Sequence, residues 1–194
     1  MSTVPPLILA SGSPRRRDLL EEHGYQFTVV KPEVEEIEDP DQSIEQLTRI
    51  NAKLKADAVS RDHPDAVVMA ADTLVLLDGK ALGKPVDQGE ASAMIRSLNG
   101  RTHQVFTAVF IEHQAAGNAE ELTVITDVTF KSLSDEELEK YHSLIDPFDK
   151  AGAYAAQEHG EIIIEAIEGS MTNVIGLPMD EVNATLRLKF GFDS

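Results

Sequence analysis

The chain has 194 residues, of which 42% are hydrophobic and 26% charged, a composition typical of a folded protein with a substantial core. Its formal net charge of −17 argues against nucleic-acid binding through a broad basic face, although basic residues that converge locally can still bind a small phosphorylated ligand. Cysteine is absent, which excludes disulfides and thiolate chemistry.

The amino-terminal segment lacks a basic region, and its apolar run covers only residues 7–10. This pattern is typical neither of a signal peptide nor of a membrane span. We therefore expect a cytoplasmic protein that has no membrane or nucleic-acid partner. The chain has no long linker and no internal repeat, so we expect one domain over residues 1–194.

The first third of the chain alternates short strands with helices. Residues 7–11 predict a buried strand, followed by a helix that has Ser13 as its N-cap, Pro14 at its first position and Gly24 at its end. Residues 27–30 predict a second strand. The acidic run over residues 33–39 predicts a loop, and apolar residues at helical spacing predict a helix over residues 43–60.

The remaining elements continue the alternation. Residues 66–71 predict a buried strand with Asp72 at its carboxyl end, and Asp78-Gly79 predicts the turn of a hairpin. Six further elements are expected: a helix over residues 87–98, an antiparallel pair of strands over 104–112 and 122–130, a helix over 134–145, a strand over 161–167 and a helix from Pro178 to about Gly191. The order predicts an α/β protein with a mixed sheet.

The strongest local signal is a turn and helix start that carry three consecutive arginines, Ser11-Gly12-Ser13-Pro14-Arg15-Arg16-Arg17. Positive side chains oppose the dipole at a helix N-terminus, where folding alone favours Asp or Glu. Such broken local rules often mark function. A bound phosphate would resolve the conflict, and arginines that simply point into solvent are the alternative.

Two familiar phosphate-binding loops are excluded. The sequence contains no G-x-G-x-x-G. The segment 79–85 superficially resembles a P-loop, but its glycines are one residue too close and Pro85 stands where Ser or Thr is required.

Asp72 is the second candidate, because ligands of open α/β sheets gather beyond the carboxyl ends of strands. Its carboxylate could bind Mg²⁺ or orient and deprotonate a water, whereas a turn or capping role is the simpler alternative for an isolated aspartate. The acids Glu33, Glu35 and Glu36 add possible metal ligands. Lys53 and Lys55 lie on opposite sides of Leu54 on the predicted helix, so we expect at most one to face a cleft.

Taken together, these residues resemble the Maf family of nucleotide pyrophosphatases. Eight segments carry the resemblance in order along the chain: residues 9–16 with Leu19-Leu20, Glu35-Glu36, residues 53–56, residues 71–73, residues 82–85, residues 100–105 with Thr107, residues 149–157, and Gly169-Ser170 with residues 176–178.

The resemblance implies a mixed twisted sheet with flanking helices, in two lobes around a cleft, like the fold of the inosine triphosphatases. It also implies a homodimer that hydrolyses nucleoside triphosphates between the α- and β-phosphates with a divalent cation, Mg²⁺ or Mn²⁺. The family's general base matches Asp72, and its acidic metal position matches Glu36, with Asp72 as a second metal ligand. The positions assigned to phosphate or substrate match Ser11, Arg15, Arg16, Lys55 and Lys84.

Within the family, the branch that acts on dTTP and UTP carries Arg, Thr and Gln at three specificity positions, which match Arg15, Thr73 and Gln157 here. The amide of a Gln offers one donor and one acceptor, which suits the O4 and N3–H of uracil or thymine. The sequence departs from many relatives at Ala156 and over residues 171–173, which bears on the fine substrate preference. The resemblance leaves two alternatives open: a broad ITP or XTP pyrophosphatase, and a nucleotide-binding regulator of septum formation with little turnover.

Overall fold

The structure, a computed structural model, describes residues 4–39 and 41–192, which fold into alternating strands and helices. The strands are β1 (Leu7–Leu9), β2 (Thr28–Val29), β3 (Val67–Leu77), β4 (Lys80–Leu82), β5 (Thr102–His113), β6 (Asn118–Phe130) and β7 (Ile164–Glu168). The helices are α1 (Pro14–Glu22), α2 (Ile44–Ser60), α3 (Gln88–Leu98), α4 (Asp135–His142), α5 (Gly160–Ile163), α6 (Met171–Ile175) and α7 (Met179–Thr185), which continues as a π-helical turn over Leu186–Phe190.

The strands form one sheet in the order β2-β1-β3-β5-β6-β7, and β4 pairs with β3. β1 runs parallel to both β2 and β3, so that Ile8 pairs with Thr28 on one side and Val68 on the other. β4 runs antiparallel to β3, and β7 runs antiparallel to β6. The expected α/β class, with a mixed sheet and flanking helices, is confirmed.

The chain divides into two compact units, and neither is continuous in sequence. The first comprises Met1–Asp72, Thr107–Val124 and Gly176–Ser194, and the second comprises Thr73–Phe106 and Ile125–Ile175. In the first unit, the small residues Ala52 and Ala56 of α2 pack with β1 and with Val68 at the beginning of β3. In the second, larger side chains from β5, β6 and α4 form the core, including Phe130 and Tyr141. Each unit therefore has its own hydrophobic core.

Helix starts follow the sequence signals closely. The Ser43 hydroxyl accepts the N–H of Gln46 and the Gln46 side chain accepts the N–H of Ser43, so α2 begins with a complete capping box. Ser134 and Glu137 form the same reciprocal pair at the start of α4. Ser13 is the N-cap residue of α1 as expected, but its side chain makes no capping bond there.

Two expectations were wrong, and one element was missed. β3 does not end before Asp72 but continues to Leu77, because the apolar run resumes at once with Leu74 and Val75 and pairs with β4. The first residues of the expected strand 161–167 form the short helix α5 instead. The sequence reading also missed α6, a five-residue helix.

The hairpin expected around Asp78-Gly79 is confirmed, since both residues adopt positive φ angles of 50° and 78° between β3 and β4. No helix in the described part of the chain is long and apolar enough to cross a membrane.

Candidate active site

The turn between β1 and α1 brings Ser11 and Arg16 together in the first unit. The buried Ser11 hydroxyl accepts the backbone N–H of Ser13 at 3.1 Å, and Arg16 Nη1 lies 3.4 Å from the same oxygen. Arg16 Nε also donates to the carbonyl of Gly176 at 2.9 Å. The guanidinium is therefore held at the helix start by two contacts, whereas the first turn of α1 contains no acidic residue to balance it.

The three arginines of this turn differ in their surroundings. Arg17 is exposed and pairs with the neighbouring Asp18 at 2.7 Å. Burial lowers the pKa of Arg16 to about 10. The charges of Asp72 and Glu36 oppose this decrease, and the charge of Arg15 adds to it. Arg16 therefore stays charged at neutral pH. Arg17 therefore points into solvent and Arg16 does not, and binding of a phosphate at this helix start stays a prediction.

Lys55 joins the two candidate carboxylates of this unit. It lies on the buried face of α2, and its Nζ atom is 2.6 Å from Asp72 Oδ1 and 2.8 Å from Glu36 Oε1. The other lysine of the pair, Lys53, is exposed and bonds Asp57 on the helix surface. The expectation that at most one of them faces inward agrees with this arrangement.

Asp72 lies in the middle of β3 and its side chain is only 7% exposed. One carboxylate oxygen accepts the Lys55 ammonium, but the other, Oδ2, is buried with no hydrogen-bond partner in residues 4–39 and 41–192. A buried charged oxygen without a partner is costly to a fold. Such an atom indicates a ligand that would complete it, either a water or a cation.

The donor set suits a cation that is bound mainly by its substrate. Within the described residues, no group of three or more His, Asp or Glu side chains is arranged to hold a metal. Asp72 and Glu36 are nevertheless both in contact with Lys55. Mg²⁺ commonly takes one or two protein carboxylates and completes its shell with phosphate oxygens and waters. The chemistry of these two carboxylates is compatible with a magnesium ion that takes its other ligands from outside the protein.

The other predicted residues lie in the second unit, except for the half-buried Arg15, which follows Pro14 in α1. Thr73 is the next residue of β3 after Asp72, and Lys84 is exposed just beyond β4. Gln157 is exposed, and its Nε2 atom donates to Glu158 Oε1 at 3.3 Å. Lys84 and Gln157 are therefore exposed to solvent, whereas Arg15 and Thr73 are half-buried.

The sequence reading missed a group of buried polar residues in the second unit. Lys150 is buried, and its ammonium bonds the carbonyl of Asp146 and the carboxylate of Asp149, both at 2.8 Å. Tyr141 and His142, at the end of α4, bond backbone atoms of Ala155 and Ala153. Only the position of Lys150 inside the segment 149–157 could have drawn attention to this group.

Comparison with known proteins agrees with the resemblance stated from the motifs. A family model described as "Maf-like protein" matches residues 6–189. The chain belongs to the Maf family. A Maf relative from Akkermansia muciniphila, named dTTP/UTP pyrophosphatase, is 49% identical over 92% of this chain and 94% of its own length. A relative of the same name from Myxococcus xanthus is 44% identical over 93% of this chain and 90% of its own.

Among solved structures, the Staphylococcus aureus Ham1 protein is similar to this Maf chain with a TM-score of 0.46 and 12% sequence identity. The match covers 64% of this chain and 71% of the other.

Proposed function

We propose that this chain is a dTTP/UTP pyrophosphatase, which hydrolyses its substrates between the α- and β-phosphates to a nucleoside monophosphate and pyrophosphate. The observation that carries the proposal is the Asp72 carboxylate, which has one oxygen on Lys55 and the other buried without a partner. The names of the two relatives described above support the choice of substrate.

In this proposal, Asp72 orients and deprotonates the attacking water. The Lys55 ammonium at Oδ1 fixes the carboxylate, so that Oδ2 is the atom available to accept the proton. A positioned general base of this kind contributes a rate factor of roughly 10² to 10⁴. The buried position of Asp72 in a strand also limits its motion, which favours in-line attack at the α-phosphorus.

The phosphates are assigned to the basic residues. Arg16 is held by Ser11 and the Gly176 carbonyl, so it offers a preorganised fork for phosphate oxygens, and the N-terminus of α1 adds backbone N–H groups. We assign Arg15 and Lys84 to further phosphate contacts. Preorganised positive charge of this type stabilises the charge that develops on a leaving pyrophosphate.

A divalent cation, Mg²⁺ or Mn²⁺, belongs to the proposal, with Asp72 or Glu36 as the protein residue that would hold it. When bound with the substrate, such an ion polarises the phosphoryl group and offsets its negative charge. Glu36 is 41% exposed and can reorient, whereas Asp72 is held in β3. The ion therefore depends on the substrate for the rest of its ligands.

Selection of the base is assigned to Arg15, Thr73 and Gln157. The exposed amide of Gln157 has a single weak contact with Glu158, so it can exchange that contact for the edge of uracil or thymine. The homodimer implied by the resemblance and the cytoplasmic location expected from the amino-terminal segment both stay predictions, and sedimentation velocity of the purified protein tests the first.

The deciding experiment measures pyrophosphate release with Mg²⁺ or Mn²⁺ from dTTP, UTP, CTP, ITP, XTP and 7-methyl-GTP. Activity that peaks on dTTP and UTP, with the monophosphate as the other product, supports the proposal. A peak on ITP or XTP keeps the reaction but contradicts the assignment of the base-selecting residues. No release from any nucleotide with either metal would favour a nucleotide-binding regulator.

A further inference from the structure

The backbone that leads to Gln157 is held by side chains from elsewhere in the second unit. We call residues 150–157 the Gln157 segment. The Tyr141 hydroxyl donates to the carbonyl of Ala155 at 3.0 Å and accepts the N–H of the same residue at 2.9 Å. Tyr141 is completely buried, and burial raises the pKa of its phenol, so the hydroxyl keeps the proton that it donates. One side chain therefore satisfies both backbone groups of Ala155.

His142, the next residue of α4, holds the same segment two residues earlier. Its Nε2 atom lies 3.0 Å from the carbonyl of Ala153, so this nitrogen carries the proton. Ala153 has a φ of 60° and follows Gly152 at 72°, two successive residues in the left-handed region. A non-glycine residue keeps that conformation only where its surroundings impose it. The bond from His142 supplies one such constraint.

The segment is also tied to the loop that carries Lys84. The N–H of Gly152 donates to the carbonyl of Gly83 at 3.0 Å. Glycine is required at position 152 on two counts, since its φ is positive and a Cβ there would lie 3.1 Å from a methyl group of Val75. The residue assigned to the base and a residue assigned to phosphate therefore lie on two loops joined by a backbone hydrogen bond.

These hydrogen bonds hold the backbone as far as Ala155, and the exposed side chain of Gln157 follows two residues later. Ala156 is buried in the core of the second unit, and Gln157 is the first exposed residue after it. A hydrogen bond that reads a nucleobase needs its donor and acceptor placed to within a fraction of an ångström. The Gln157 side chain is flexible, so its placement depends on the backbone that carries it.

We propose that Tyr141 and His142 are positioning residues that hold the Gln157 segment and thereby set the preference of this protein for uracil over cytosine. The inference rests on the proposed function, since it assigns a cause to the selectivity of that same site. Neither residue contacts the nucleotide in this proposal, and both act through Gln157.

The test compares UTP with CTP, because these nucleotides differ only at the edge of the base that Gln157 is proposed to bind. Tyr141→Phe removes both bonds to Ala155 and retains the ring in the core. We expect the ratio of kcat/KM for UTP to that for CTP to fall about tenfold, as for a small displacement of a binding group. Tyr25→Phe is the matched control, since it also removes the hydroxyl of a buried tyrosine but in the first unit.

A double-mutant cycle separates positioning from a general loss of structure. In a Gln157→Ala background, Tyr141→Phe should leave the UTP/CTP ratio unchanged, because the group that it positions is gone. An equal fall of kcat/KM for both nucleotides in Tyr141→Phe, with the ratio unchanged, would overturn the inference. His142 supplies a second pair of variants: His142→Leu should lower the ratio, and His142→Gln, which retains a donor at the same reach, should restore part of it.

Two further outcomes distinguish this inference from the proposed function. A wild-type protein that cleaves UTP and CTP equally well overturns the inference and leaves the reaction intact. A wild-type protein that cleaves no nucleotide overturns the proposed function. The inference is then decided by calorimetry with α,β-methylene-UTP and α,β-methylene-CTP, since the Kd of the CTP analogue divided by the Kd of the UTP analogue should fall about tenfold in Tyr141→Phe.

Discussion

The Nζ atom of Lys55 lies 2.6 Å from Oδ1 of Asp72, so a buried ion pair joins α2 to the middle of β3. Two residues earlier on the same helix, Lys53 makes a bond of equal length to Asp57 at the surface. The two pairs have the same chemistry and differ in burial. Variants of the exposed pair therefore serve as controls for variants of the buried pair.

Asp72→Asn should lower kcat for dTTP by roughly 10² to 10⁴-fold, because the amide cannot accept the proton of the attacking water. The fold should persist, since the side chain keeps its volume. Steady-state pyrophosphate release and circular dichroism check both points. Asp57→Asn, at the exposed pair, should retain wild-type kcat. Near-normal turnover of Asp72→Asn would remove Asp72 from the role of base.

Lys55→Met should lower the free energy of unfolding by about 3 kcal/mol, because it leaves the buried Asp72 carboxylate without its cation. Lys53→Met should cost less than about 1 kcal/mol, since that pair is exposed. Urea denaturation at neutral pH measures both. Adding Asp72→Leu to Lys55→Met should recover much of the loss, and a double variant no more stable than Lys55→Met would contradict the ion-pair explanation.

Arg16→Gln should raise KM for dTTP about tenfold or more, because it removes a charge-assisted contact to phosphate. Arg17→Gln deletes the same charge one residue later, from an exposed side chain that pairs with Asp18, and should change KM little. Initial-rate kinetics at constant ionic strength compare the two variants. Equal effects would indicate that net charge, rather than the position of Arg16, determines substrate affinity.

The pH dependence of stability should contain a contribution from His103. Burial lowers the pKa of this residue to about 4, only partly opposed by Asp127, and its Nε2 bonds the hydroxyl of Tyr154. The unfolded chain, with a histidine pKa near 6.5, then binds more protons than the folded chain between pH 6.5 and 4. Stability is therefore full above pH 6.5 and declines as the pH falls through this window.

The contribution from His103 should reach about 3 kcal/mol at pH 4, at about 1.4 kcal/mol for each pH unit. Urea denaturation of wild type and His103→Gln between pH 4 and 7 isolates it, because the carboxylates contribute equally to both. The variant should show a shallower loss of stability on acidification. Parallel curves would show that His103 titrates normally in the folded protein.

The sequence was sufficient to predict the structural features that neighbouring residues along the chain determine. The helices expected from residues 43 and 134 begin there, each with a capping box, and the hairpin expected at Asp78-Gly79 forms. Helical spacing also separated Lys53 from Lys55 correctly. These features depend on residues within four positions of one another, so the sequence displays them directly.

The sequence was not sufficient to predict the strand ends and hydrogen bonds that residues distant along the chain determine. Asp72 and Thr73 interrupt an apolar run and therefore predicted the end of a strand. β3 nevertheless continues beyond them, because residues 75–77 pair with β4. The bonds of Tyr141 and His142 to the Gln157 segment span 11 to 14 residues, and that of Arg16 to Gly176 spans 160. No local pattern specifies such partners.

The division of the chain into two interleaved units also constrains the order in which a ribosome can complete them. The second unit contains residues no later than Ile175, whereas the first needs Gly176 and the residues after it. The carbonyl that holds Arg16 is therefore synthesised only after every residue of the second unit. Although the first unit also contains residues that precede the whole second unit in sequence, it cannot finish folding until after the second has all its residues, which reverses the usual amino-to-carboxyl order of domain folding during translation.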